Sequence, residues 1–168
     1  MAIKSQHTVS FLLLVSGLLL SSLVPGGPIE NRDFSHINAG ILLIFNIYLT
    51  VLGLGSFVLI PYVLGSGRYA SMLGALAGLS YLVVYGVDLL GWFPETPSEM
   101  STLLLSIELV GMAVALPLLY VSNQLPRNGS FGAHRGISHW TDPKWLLLGI
   151  AGIVIVMFAT WSAMATSV

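Results

Sequence analysis

Asp88 and Glu108 each interrupt a long apolar run, and they are the two ionisable side chains that do so deep inside one. A charged carboxylate in hydrocarbon costs about 2.5–3.5 kcal/mol even on the mildest insertion scale, so it normally faces a partner, water or protein interior. Tyr81, Tyr85, Asp88 and Trp92 recur at helical spacing, which puts them on one face of one helix. In the preceding apolar run Asn38, Leu42 and Asn46 share a face in the same way, and His36 stands at its start. The candidate polar site within the membrane is therefore Asp88, Glu108, His36, Asn38, Asn46, Tyr81 and Tyr85.

Three chemistries fit that set. In the first, the two carboxyls are hydrogen-bonded to tyrosine and asparagine and only fix packing. In the second they form a proton or cation site, because two like charges out of water favour a proton or cation between them. In the third, His36 and the carboxylates bind a metal, although a single histidine at a helix start makes a poor donor set. His134 and His139 are five residues apart, which is poor spacing for two ligands on one helix face, and a solvated loop accounts for them better. His7 is terminal, so bis-histidine haem has no ligands inside a span. With no cysteine there are no disulfides, thiolate metal sites or thioether haem. No serine, histidine and acid arrangement points to nucleophilic catalysis, and no Walker lysine accompanies the glycines. The sequence thus points to no catalytic residue and no metal, and leaves any cofactor unknown.

The elements that must position these residues follow from composition. The 168 residues are 55% hydrophobic and 8% charged, with mean hydropathy +0.89. A soluble domain is about 25% charged; six Lys/Arg and seven Asp/Glu cannot clothe a water-facing surface of this size, so lipid must cover most of it. A membrane helix needs about 20 mostly apolar residues. Five stretches qualify, at about 8–24, 37–64, 69–92, 100–121 and 145–165, and they predict an all-α, multi-pass bundle of five transmembrane helices forming a single domain over 1–168. The breaks carry turn chemistry: Pro25-Gly26-Gly27-Pro28, Gly65-Ser66-Gly67, Pro94-Glu95-Thr96-Pro97 and the polar loop 122–144. The second stretch exceeds one crossing, and tilt or a kink at Gly53, Gly55 or Pro61 would absorb the excess. The first resembles a signal peptide after Lys4, but Ser21-Ser22-Leu23-Val24-Pro25 offers no small-x-small cleavage site, and a retained helix is expected.

Basic residues prefer the cytoplasmic side of short loops. With the N-terminus in the cytoplasm and the C-terminus external, Lys4, Arg68, Arg127, Arg135 and Lys144 are all inside and only Arg32 is outside, together with Glu30, Asp33, Glu95 and Glu99. A plasma or inner membrane is the expected location. The orientation also makes the sequon Asn128-Gly129-Ser130 a chance match in a cytoplasmic loop. Gly65-Ser66-Gly67-Arg68-Tyr69-Ala70 fits a dinucleotide fingerprint only in letters, since no strand precedes it.

Asp88 and Glu108 then lie on an antiparallel hairpin, both in the outer half and about 6 Å apart in depth. His36 and Asn38 come to similar heights, with Asn46 and the tyrosines deeper. Gly74 and Gly78, with Ala70, and more weakly Gly111 and Ala115, make small-residue seams for close helix packing, inside the bundle or against another subunit. Gly149 and Gly152 suggest a further contact. Trp92, Trp140, Trp145 and Trp161 fall near the interfaces and set depth.

Three functions remain open. The leading one is a non-catalytic accessory or scaffolding subunit of a larger membrane complex, given small size, short loops and packing glycines. The second is a proton- or cation-coupled transporter using Asp88 and Glu108. The third is a membrane enzyme or cofactor subunit acting on a lipid or quinone. Expected partners are the lipid bilayer and other membrane subunits or a second copy; near-neutral charge without a basic cluster excludes nucleic acid.

Overall fold

The computed structural model describes residues 2–25, 27, 29–30, 32–65, 69–97, 99–125 and 143–165, with backbone alone at 2–4, 143–149 and 163–165. Five helices follow one another: α1 (Ala2–Ser22), α2 (Ala39–Leu64), α3 (Ala70–Leu89), α4 (Thr102–Asn123) and α5 (Pro143–Ala165). Arg68, Arg127, Asn128, Arg135, His134, His139 and Trp140 lie outside the described residues, as do the side chains of Lys4, Lys144, Trp145 and Gly149.

The helix ends follow local chemistry. Asn38 caps α2, its side-chain oxygen accepting from the Gly40 N–H at 2.8 Å. Ser101 caps α4 by accepting from the Leu104 N–H at 3.2 Å; such caps satisfy backbone donors that the first turn leaves free. The α3 helix stops at Leu89 rather than reaching Trp92, because Gly91 turns the chain out at φ 66°. Trp92 therefore leaves the Asp88 face and stands largely exposed. The α2 helix runs unbroken for 26 residues, about 39 Å at 1.5 Å per residue, with Pro61 in its last turn.

Helices α1, α2, α3 and α4 form a ring in which each touches the next and α4 closes on α1. Among the described residues α5 stands outside this ring and packs on α2 alone. It runs antiparallel to α2: Thr160 meets Asn46 near the start of α2, and Gly152 meets Thr50 and Leu54 further along.

The interior is apolar, with Val9, Leu13, Val63, Ala77, Ala115 and Leu118 buried around Tyr81 and Tyr85. The exterior is apolar too: Phe11, Ile44, Val51, Met72, Leu76 and Leu116 are among many large side chains facing outward. A helix that is hydrophobic all round belongs in lipid. Four of the helices, over Ser5–Ser22, Ala39–Leu64, Ala70–Leu89 and Thr102–Asn123, are long and apolar enough to cross a membrane; in α5 the described apolar stretch is Ile150–Ser162. This is a helical membrane protein.

Small residues let the ring close. A Cβ at Gly74 would fall 2.6 Å from Ser122 Oγ, and one at Gly78 would fall 2.8 Å from the Leu119 backbone nitrogen, so both glycines face α4. A Cβ at Gly111 would fall 2.5 Å from the Tyr85 ring. Ala115 is fully buried in the same seam. These residues are used inside the chain, between α3 and α4.

Candidate functional site

The segment linking α1 to α2 folds over the end of the ring where α2 begins. Glu30, Arg32 and Phe34 point inward at every second residue, as an extended chain with one buried face requires. Arg32 is the centre of what they build. Its Nε donates to Glu30 Oε1 at 2.9 Å and its Nη2 to Glu30 Oε2 at 2.6 Å. On its other edge Nη1 donates to Asp88 Oδ1 and Nη2 to Asp88 Oδ2, both at 2.7 Å. One guanidinium thus holds two carboxylates in fork geometry, which suits its planar array of five N–H donors. The side chains of Arg32 and Glu30 are only 4% and 6% exposed, and the guanidinium sits 5.5 Å from the Phe34 ring centroid. Burial works against the guanidinium charge, but hydrogen bonds and attraction from Glu30 and Asp88 outweigh it and hold Arg32 above its ordinary range.

Beside this clasp lies a cavity of about 40 Å³. Glu30, Arg32, Asp88, Glu108, Tyr85 and Asn46 supply its polar wall; Leu20, Leu23, Phe34, Leu42, Phe45, Leu49 and Val84 supply most of the rest. Its size admits one or a few water-sized species. Glu108 is 2% exposed and lies within hydrogen-bonding reach of Asp88. Its Oε2, like the Tyr85 hydroxyl, has no hydrogen-bond partner among the described residues. Asn46 donates its Nδ2 to Thr160 Oγ1 at 3.1 Å, tying α5 to the cavity wall.

Of the residues that sequence spacing grouped together, Asp88, Glu108, Asn46 and Tyr85 meet at this cavity. Tyr81 lies one turn deeper: it stacks on Tyr85 with ring centroids 6.1 Å apart and shares a 2.8 Å hydrogen bond with Ser56 Oγ. His36 and Asn38 stand outside the cavity wall. His36 Nε2 is 2.7 Å from the Glu95 carbonyl oxygen, and Asn38 is spent on the α2 cap. Among the described residues no group of three or more His, Cys, Asp or Glu side chains could hold a metal ion.

A family model described as "Domain of unknown function (DUF8051)" matches residues 5–135. The chain belongs to that family. The DUF8051 stretch contains α1 from its fourth residue, α2 to α4 whole and every residue of the cavity wall, and it ends before α5. No curated protein and no solved structure matches the chain.

Two residues of this site, Arg32 and Glu30, are not among those that sequence spacing singles out. Sequence reading gives both only a place in a loop, yet Arg32 is the partner that Asp88 needs, and Glu30 is the second carboxylate on the same guanidinium. Arg32 was the lone basic residue on the acidic side of the charge pattern, and a lone exception to that pattern was the available signal.

Proposed function

We propose that this is a multi-pass membrane protein of the proton- or cation-coupled class, in which Glu108 and Asp88 hold an exchangeable proton at one end of the bundle. The observation that carries this reading is the unpartnered pair, Glu108 Oε2 and Tyr85 Oη, on one small cavity beside a clasp whose own groups are matched. Buried polar atoms without partners are rare and call for a ligand, water or proton-transfer role. A carboxyl and a carboxylate in hydrogen-bonding contact also need a proton between them. With Glu30 and Asp88 already bridged by Arg32, Glu108 is the acid left to release that proton and take it back.

Infrared difference spectra of the purified protein over a pH titration test the proposal. The wild type should show one buried carboxylic-acid band that disappears on titration, and Glu108→Gln should remove it. Glu95→Gln, in the exposed turn before α4, should leave it in place. An identical titration in wild type and Glu108→Gln would mean that Glu108 carries no exchangeable proton.

The charge pattern supports five crossings with the N-terminus cytoplasmic and the C-terminus external, in a plasma or inner membrane. The end of the bundle that holds the cavity is then the external one. Reporter fusions after Gly67 and after Asn128 should read cytoplasmic, and one after Pro97 external. The opposite pattern would turn the cavity to the cytoplasm.

A second reading, an accessory or scaffolding subunit of a larger complex, is favoured by α5. It lies beyond the family-matched stretch, packs among the described residues on α2 alone, and exposes Ile153, Val154, Met157, Phe158 and Trp161. A particle in mild detergent much heavier than one chain, containing other proteins, would support it. The cavity gives no support to a lipid or quinone enzyme, since sites for drug-sized molecules run to about 300–1,000 Å³.

A further inference from the structure

Three oxygen-bearing groups from three helices converge on the cavity: Asn46 from α2, Tyr85 from α3 and Glu108 from α4. Tyr85 Oη and Glu108 Oε2 are buried and have no hydrogen-bond partner among the described residues. Asn46 commits its Nδ2 to Thr160, which leaves its carboxamide oxygen for the cavity. We infer that this cavity exchanges the Glu108 proton for one monovalent alkali cation of about sodium size, with Glu108 Oε2, Tyr85 Oη and Asn46 Oδ1 as ligands. The inference rests on the proton site proposed above and names the ion that competes for it.

The class of cation follows from the ligands and from the charge they carry. Oxygen donors suit hard cations rather than soft transition metals. All four carboxylate oxygens of Glu30 and Asp88 already accept from Arg32 or share its fork. That leaves Glu108 as the one carboxylate at the cavity free of Arg32, and its single proton exchanges without change of net charge for one monovalent cation. The exchange balances: the Glu108 O–H bond breaks, its proton leaves to solvent, and the carboxylate electron pair binds the entering cation. The net charge of the site stays the same throughout.

The groups facing Glu108 agree with this count. From α3 come Asp88 and Tyr85, and from the segment before α2 come Glu30 and Arg32. The α1 helix presents only Leu20 to the cavity. Arg32 repels a cation, but both faces of its fork are taken by carboxylates, so the clasp carries one net negative charge towards the site.

The test is proton release from the purified wild-type protein in weakly buffered detergent solution, followed with a pH indicator. Sodium chloride should release up to one proton per chain in a saturable way, and choline chloride at equal ionic strength should release none. Glu108→Gln should abolish the release. Tyr85→Phe, which removes only the hydroxyl, and Asn46→Leu should each raise the sodium concentration needed by on the order of tenfold, as loss of one polar contact worth about 1.4 kcal/mol implies. Equal release by sodium and choline would overturn the inference, because the effect would then be ionic strength. No release by any alkali cation, with the Glu108 infrared band still titrating, would overturn it while leaving the proton site standing. Loss of the Glu108 dependence in both assays would remove both proposals.

Discussion

Arg32→Met should destabilise the protein by about 3–5 kcal/mol, the usual penalty for removing one partner of a buried ion pair. Four carboxylate oxygens, two on Glu30 and two on Asp88, take their hydrogen bonds from this guanidinium, and the Glu30 and Asp88 side chains are only 6% and 14% exposed. Methionine fills similar space but leaves two adjacent carboxylates facing each other without a cation. For a chain of this length the melting temperature should fall by on the order of 10 °C, measured by thermal unfolding in detergent. Arg32→Lys should recover only part of the loss, since an ammonium group cannot fork to two carboxylates at once. The triple variant Glu30→Gln/Arg32→Met/Asp88→Asn removes every charge of the clasp and should melt close to the wild type, because a buried ion pair gains little over neutral groups of the same shape. If Arg32→Met melts with the wild type, the segment before α2 does not seat over the cavity. On the pH axis the arginine side is silent. Its folded-state pKa lies above the ordinary arginine range, so its contribution is complete below that range and is lost only above it.

The sequence made the helices legible because lipid solvates them: an apolar run of about 20 residues has few other uses. Asp88 and Glu108 stood out for the same reason, as carboxylates in such runs. The clasp was not legible, because Arg32 and Asp88 are 56 residues apart and their contact depends on how a turn-rich segment folds back. A trace of it was present in Glu30, Arg32 and Phe34, three residues at period two of which two carry opposite charge. Which way a side chain faces was not legible. His36 and Asn38 lie in sequence at the height of Asp88, but one reaches the Glu95 carbonyl and the other caps a helix. Trp92 was misplaced by a single residue type: helical spacing carried it onto the Asp88 face, while Gly91 at φ 66° ends the helix first. Asp33, in the same segment before α2, shows how local such chemistry is. Its Oδ1 accepts from the Ser35 N–H at 2.8 Å, and that bond holds its carboxyl below the ordinary range without involving the cavity.

The seam between α3 and α4 should be nearly as sensitive as the clasp. At Gly78 an added Cβ would lie 2.8 Å from the Leu119 nitrogen and 3.0 Å from its Cα, so the obstacle is backbone and the two helices must separate. Forcing extra carbon into a packed core costs about 1–3 kcal/mol. Gly78→Ala should fall in that range, and Gly78→Leu should exceed it and reduce the yield of folded protein. Leu79, the next residue, is half exposed on the outer face, and Leu79→Ala should change little. Gly55 supplies a second contrast, since nothing lies within 4 Å of its would-be Cβ. Gly55→Ala should be neutral or stabilising by up to about 1 kcal/mol through helix propensity. At Gly111 the obstacle is the Tyr85 ring at 2.5 Å, a side chain that can tilt, so the helices need not part. That tilt would carry the Tyr85 hydroxyl away from its place beside Glu108. Gly111→Ala should therefore lose less stability than Gly78→Leu and weaken sodium-driven proton release more than Gly78→Ala does. Thermal unfolding in detergent gives the first comparison and the indicator assay the second. If Gly78→Leu and Leu79→Ala are tolerated equally, Gly74 and Gly78 face lipid and α3 packs on α4 through another side.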